Sequence, residues 1–210
     1  NNVAVGFRTF FGSAAVTGGS NAVVGNYALY VNTSGINNVG IGQEIYQANT
    51  TGSNNVAVGK SALAANTTGA GNSAMGEVAL TTNTTGAENV AIGANALRYN
   101  TTGDFNAALG NKALQANTTA DYNTGIGYKA LEAHTTGASN TAIGAQALMT
   151  NTTAANNIAV GISALKLNTT GASNVAVGAN ALDANTTAAN NVAVGLAALG
   201  ANTTGTPNVA

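Results

Sequence analysis

The residues able to carry chemistry are few and dispersed. His134 is the only histidine in 210 residues, cysteine is absent, and the seven acidic side chains form no cluster. A metal or catalytic role for His134 needs a second ligand or an orienting partner, and nothing of that kind stands near it in the chain. It occupies a place where the surrounding pattern has Asn, so it reads as a tolerated substitution. Gly40-Ile41-Gly42 and Gly125-Ile126-Gly127 match only the opening of a phosphate loop and belong to a longer periodic pattern. No Gly-Gly-x-Gly-x-Asp series is present, which argues against a calcium-loaded roll. No cofactor is implied, and no Ser-His-Asp, paired-carboxylate or metal constellation survives; an enzyme is not expected.

Three weaker signals point to binding or modification. Asn-x-Thr/Ser sequons arise at Asn32, Asn49, Asn66, Asn83, Asn100, Asn117, Asn151, Asn168, Asn185 and Asn202; these are candidate glycan acceptors, but sugars cannot occupy every rung at about 4.8 Å spacing, and the default reading of these asparagines is a ladder like that of position 1. Rows of Thr-Thr suggest an ice-binding array, although adjacent residues on a strand point to opposite faces and leave one row per face. Tyr99, Tyr122 and Tyr128 are candidate carbohydrate contacts, against the commoner case of isolated surface tyrosine.

The elements that would position these residues follow from an internal repeat. The motif Asn-x-Ala-Val/Ile-Gly begins at Asn21, Asn38, Asn55, Asn72, Asn89, Asn106, Asn123, Asn140, Asn157, Asn174 and Asn191, always 17 residues apart. No unit has an insertion or deletion, so each must stack on the next in one fixed way. Counting from that Asn as position 1, position 5 is always Gly, position 4 a larger apolar residue and position 3 small, mostly Ala or Gly. Positions 8 and 9 are Ala-Leu except at Ile45-Tyr46, and positions 12 to 14 are Asn-Thr-Thr apart from Ser34 and His134. Charges such as Lys60, Glu77, Arg98, Lys112 and Asp183 are confined to positions 6, 7, 10, 16 and 17, which are expected to face water.

Composition sets the remaining bounds. Only 6% of residues are charged and the net charge is −1, against about 25% charged in an ordinary domain. Six basic residues cannot build a nucleic-acid surface, and no apolar run reaches the roughly 18 residues of a membrane span. Positions 1 to 5 alternate and end at Gly, the signature of a short strand and a bend. Parallel stacking at about 4.8 Å per unit gives a rod on the order of 55 Å long. In the second half, Gly59, Ala62, Leu63 and Asn66 carry the helical period. Stacked helices need about 8–10 Å, however, so an extended or single-turn segment is favoured. The expected fold is an all-β parallel β-solenoid (β-roll) of 17-residue coils, the alternative being a curved solenoid with one strand and one short helical turn per repeat.

Within that fold, Asn38, Asn55, Asn72, Asn89, Asn106, Asn123, Asn140, Asn157, Asn174 and Asn191 are expected to form a ladder of stacked amides. Val58, Met75, Ile92 and Leu109 at position 4, with Leu63, Leu80, Leu97 and Leu114 at position 9, are the expected core. Residues 1–20 form an irregular first coil, 21–207 eleven repeats, and 208–210 the start of another, as in a segment of a longer fibre.

Asn55-Val56-Ala57-Val58-Gly59, Asn89-Val90-Ala91-Ile92-Gly93 and Asn140-Thr141-Ala142-Ile143-Gly144 resemble the head repeats of trimeric autotransporter adhesins (YadA-like) and the shaft repeats of phage tail fibres. The resemblance implies a left-handed β-roll, three chains side by side, and attachment at a cell or virion surface. The family's repeats are usually shorter and lack the Ala-Leu-x-x-Asn-Thr-Thr-Gly half. The expected function is therefore a structural fibre or adhesin stalk, extracellular and partnered by copies of itself (a homotrimer or head-to-tail polymer), with a host-surface glycan or protein as a further partner. The alternatives are a self-assembling extracellular filament and a glycan- or ice-binding solenoid.

Overall fold

The computed structural model describes residues 1–10 and 17–210. Among the described residues twelve strands of three residues follow one another: β1 (Val3–Val5), β2 (Ala22–Val24), β3 (Val39–Ile41), β4 (Val56–Val58), β5 (Ser73–Met75), β6 (Val90–Ile92), β7 (Ala107–Leu109), β8 (Thr124–Ile126), β9 (Thr141–Ile143), β10 (Ile158–Val160), β11 (Val175–Val177) and β12 (Val192–Val194). They form one parallel sheet in strict chain order, so the chain is a β-solenoid with one 17-residue coil per rung. Equivalent residues stack: Val58 pairs with Met75, and Met75 with Ile92.

The strand's two-residue period decides which side chains enter the coil. Asn55 at position 1 is buried, which sends Ala57 inward and Val56 and Val58 outward. This corrects the expected core. Leu63, Leu80, Leu97 and Leu114 are fully buried, whereas Met75 and Ile92 are 43% and 40% exposed and Val58 and Leu109 are only partly covered. The small residue at position 3 belongs inside because the lumen is narrow. A Cβ placed on Gly40 would lie 2.3 Å from the Ile45 side chain and 3.1 Å from the Tyr46 ring. The one coil with larger residues at positions 8 and 9 thus has glycine at position 3. A Cβ on Gly125 would similarly meet Leu114 at 3.2 Å.

The second half of the coil is neither strand nor helix. In the coil from Asn55, Ala62 N–H bonds to Gly59 carbonyl and Asn66 N–H to Leu63 carbonyl, giving two consecutive turns. Those two i, i+3 closures reproduce the spacing Gly59, Ala62, Leu63, Asn66 that resembled a helix face. The backbone groups between them bond to other coils: Ser61 N–H reaches back to Gln43 carbonyl at 2.9 Å, and Leu63 N–H forward to Ala79 carbonyl at 3.1 Å. The direction alternates because positions 7 and 9 are left-handed, with φ of 56° at Ser61 and 51° at Leu63. A left-handed Leu costs about 1–2 kcal/mol, and burying its side chain returns about 1.5–3 kcal/mol. Packing and ladder bonds therefore hold a conformation that Leu would not choose alone. The strand-plus-helical-turn alternative does not occur among the described residues.

Gly at position 5 ends every strand for two reasons. Gly93 has φ of 132°, and a Cβ there would sit 2.6 Å from the Gly110 backbone one coil on. The coils approach backbone to backbone at this corner, leaving no room for a side chain.

Candidate functional site

Two buried amide columns run the length of the rod. At position 1, Asn89 donates from Nδ2 to Asn72 Oδ1 at 3.1 Å and to the Gly103 carbonyl at 2.8 Å, while its backbone N–H reaches Asn72 Oδ1 at 3.0 Å. Its own Oδ1 accepts the same pair of bonds from Asn106. The expected ladder asparagines are all fully buried, and this arrangement recurs along them. One side chain therefore ties two coils together and also fastens the strand to the corner at position 15.

Position 12 builds the second column. Asn66 donates to Asn49 Oδ1 and Gly69 carbonyl, each at 3.0 Å; Asn83 donates to Asn66 Oδ1 and Gly86 carbonyl at 2.9 and 2.8 Å. Asn49, Asn66, Asn83 and Asn100 are fully buried with both amide hydrogens engaged. At Asn49, Asn66, Asn83 and Asn100 the ladder reading of position 12 therefore holds over the glycan-acceptor reading: a sugar on Nδ2 would replace a bonded hydrogen and have no way out of the folded coil.

His134 interrupts the second column. Its Nε2 contacts the Gly137 carbonyl, and its Nδ1 lies 3.0 Å from Asn151 Nδ2. The carbonyl requires Nε2–H, so Nδ1 is the acceptor and the ring is neutral. Burial pushes its pKa below the ordinary 6.5, with the bond to Gly137 opposing that shift. Asn117 Oδ1, which an Asn at 134 would have capped, is buried without a partner. Among the described residues no group of three or more His, Cys, Asp or Glu is placed to hold a metal.

The exterior divides by position. The first Thr of each pair turns its hydroxyl to the carbonyl of the next coil, as Thr84 does to Thr101 at 3.0 Å. The second forms a single exposed column, including Thr51, Thr68 and Thr85. Lys112 and Lys129 flank Glu132 at 3.8 and 3.2 Å on the surface. Tyr99, Tyr122 and Tyr128 are exposed; Tyr122 stacks on Phe105 with ring centres 5.2 Å apart, and Tyr99 and Tyr128 carry Arg98 and Lys129 beside their rings. A groove of about 850 Å³ runs over Ala48, Ala64 and Ala65, walled by Tyr27 and Tyr30 and bordered by Gln47 and Thr81.

The sheet's outer face is different in kind. Positions 2 and 4 of all twelve strands contain no charged residue, and Val39, Ile41, Met75, Ile92, Ile126, Ile143 and Ile158 are exposed on them. Two columns about 7 Å apart over twelve rungs make an uncharged strip on the order of 400 Å², apolar but for Ser73, Thr124 and Thr141 and comparable to the largest patch a monomer leaves uncovered. The sequence reading placed half of this strip in the core. The signal that it lies outside was the inward Asn at position 1, which fixes the parity of positions 2 to 4.

Fold and ladders together define the class: a parallel β-solenoid repeat protein with internal asparagine ladders. Comparison with family models, with curated proteins and with solved structures gives no match for this chain. No helix is long and apolar enough to cross a membrane among the described residues.

Proposed function

We propose that this chain is a shaft segment of an extracellular fibre or adhesin stalk at a cell or virion surface. In this reading the rod associates side by side with copies of itself and spaces an attachment tip from an anchor. The observation that carries it is the uncharged outer sheet face, whose position-4 column is apolar on all twelve strands while only Ser73, Thr124 and Thr141 are polar at position 2. Three such strips meeting along a common axis would remove them from water, as the resemblance to trimeric adhesin repeats implies. The interior supports a mechanical role, since most of its polar groups join one coil to the next and little of it is adaptable.

The test is molar mass in solution by sedimentation equilibrium, for the wild type and for Ile92→Lys/Ile126→Lys. The expected result is a discrete trimer that the double variant converts to a folded monomer. A wild-type monomer at micromolar concentration overturns the reading, and an open series of masses replaces the trimer with a filament.

The groove at Tyr27 and Tyr30 favours a second reading, glycan binding along the shaft. Aromatic walls, an alanine floor and the Gln47 and Thr81 side chains suit the apolar face and hydroxyls of a pyranose. Retention on immobilised oligosaccharides that falls at least about tenfold in Tyr30→Ala supports it; no retention by the wild type removes it.

A further inference from the structure

His134 sits where the second ladder should be continuous, and the geometry assigns it a property that no other coil has. On either side, position-12 amides bond in series: Asn117 Nδ2 reaches Asn100 Oδ1 at 2.8 Å, and Asn168 Nδ2 reaches Asn151 Oδ1 at 3.2 Å. Across His134 the series is broken downward, at the unpartnered Asn117 Oδ1, and held upward only by a neutral Nδ1 accepting from Asn151. We propose that the coil of His134 is the acid-labile joint of the rod: the neutral ring closes it, and protonation opens it between the coils of Asn117 and Asn151.

Protonation puts a hydrogen on Nδ1, directly opposite the amide hydrogens of Asn151, so the remaining side-chain bond of this column becomes a clash of two donors, leaving backbone bonds such as Thr135 N–H to Thr152 carbonyl to hold the coils. The new charge has no counter-ion in reach of a hydrogen bond. The coil after it, residues 140–156, has no charged residue at all. In its own coil Lys129 and Glu132 pair with each other at the surface, and in the coil before, Lys112 joins that pair. Asp121, the remaining charge of those three coils, accepts the Asp104 N–H through Oδ1. A buried cation without a partner is expelled by opening the structure around it.

The direction with pH follows from linkage. Burial holds the folded imidazole below 6.5, so the unfolded coil binds the proton more tightly. Stability from this residue is complete above about pH 6.5 and is lost as pH falls below it, with the local opening equilibrium rising by up to about tenfold per pH unit inside that window. The rod would thus loosen at one defined coil in mild acid.

His134→Asn tests this, because it restores the residue found at this position in the other coils. Thermal unfolding of wild type and variant is compared at pH 8 and pH 5, with hydrogen exchange followed peptide by peptide and corrected for the intrinsic pH dependence. The expected result is a gap in Tm that widens at pH 5, and at least about tenfold faster wild-type exchange confined to residues 117–154. The same gap at both pH values overturns the proposal, as does protection lost evenly along the rod.

Discussion

Each position-1 asparagine meets several needs that would otherwise go unmet in a dry interior. Asn89 Nδ2 caps the Gly103 carbonyl, and Asn89 Oδ1 receives the Asn106 backbone N–H. Asn89→Ala leaves the buried Asn106 N–H without that partner, at about 1–3 kcal/mol, and takes from the Gly103 carbonyl one of its two amide donors, the other being Asn100 Nδ2. A loss of about 2–4 kcal/mol in unfolding free energy is expected from denaturant titration, and an effect under about 0.5 kcal/mol would mean that the ladder contributes little. The Tyr46 hydroxyl shows the same logic on a smaller scale: buried, with its pKa raised by desolvation, it is satisfied by the Val39 carbonyl at 3.1 Å.

At the scale of elements, one strand face and one run of turns share the work unequally. The strand has only three residues, and its parity is imposed by the asparagine before it. The outward side chains at positions 2 and 4 therefore contribute little to the monomer's interior, which is why Ile92→Lys/Ile126→Lys is expected to fold yet lose association. The turn half supplies the large apolar contacts through Leu63, Leu80, Leu97 and their equivalents. It does so from left-handed backbone that only the neighbouring coils stabilise, so the strand and turn halves depend on each other through the stack.

The whole molecule is close to one-dimensional: strand contacts run between neighbouring strands, and its hydrogen bonds span about one coil. Stability should then be nearly a sum over coils and coil-to-coil interfaces. Excising residues 89–105 removes one whole unit and leaves every register intact, so the shortened rod should unfold within a few degrees of the parent by circular dichroism. Deleting Ala91 alone breaks the parity of β6 and brings Ile92 to the inward position that Ala91 held, an overpacked lumen that should cost on the order of 3 kcal/mol. Equal effects of the two deletions would show that coil register is not what holds the rod.

The 17-residue period by itself determined that like residues stack on like, that the stack is parallel, and that position-1 asparagines form a ladder. These follow from an unbroken register, which only a one-to-one stack of coils can satisfy. Which side of the strand faces inward was also latent in the sequence, since a buried Asn55 dictates an exposed Val58, but residue size pointed the other way. Val58, Met75, Ile92 and Leu109 are larger than their alanine neighbours, yet the lumen already holds the position-9 leucines and leaves little space opposite them; the one larger residue at position 3, Val23, is buried beside Gly40 of the next coil. The path of the Ala-Leu half was decided by tertiary structure alone. Alternating left-handed residues such as Ser61 and Leu63 have no local signature, because their hydrogen-bond partners lie one coil away rather than in their own segment.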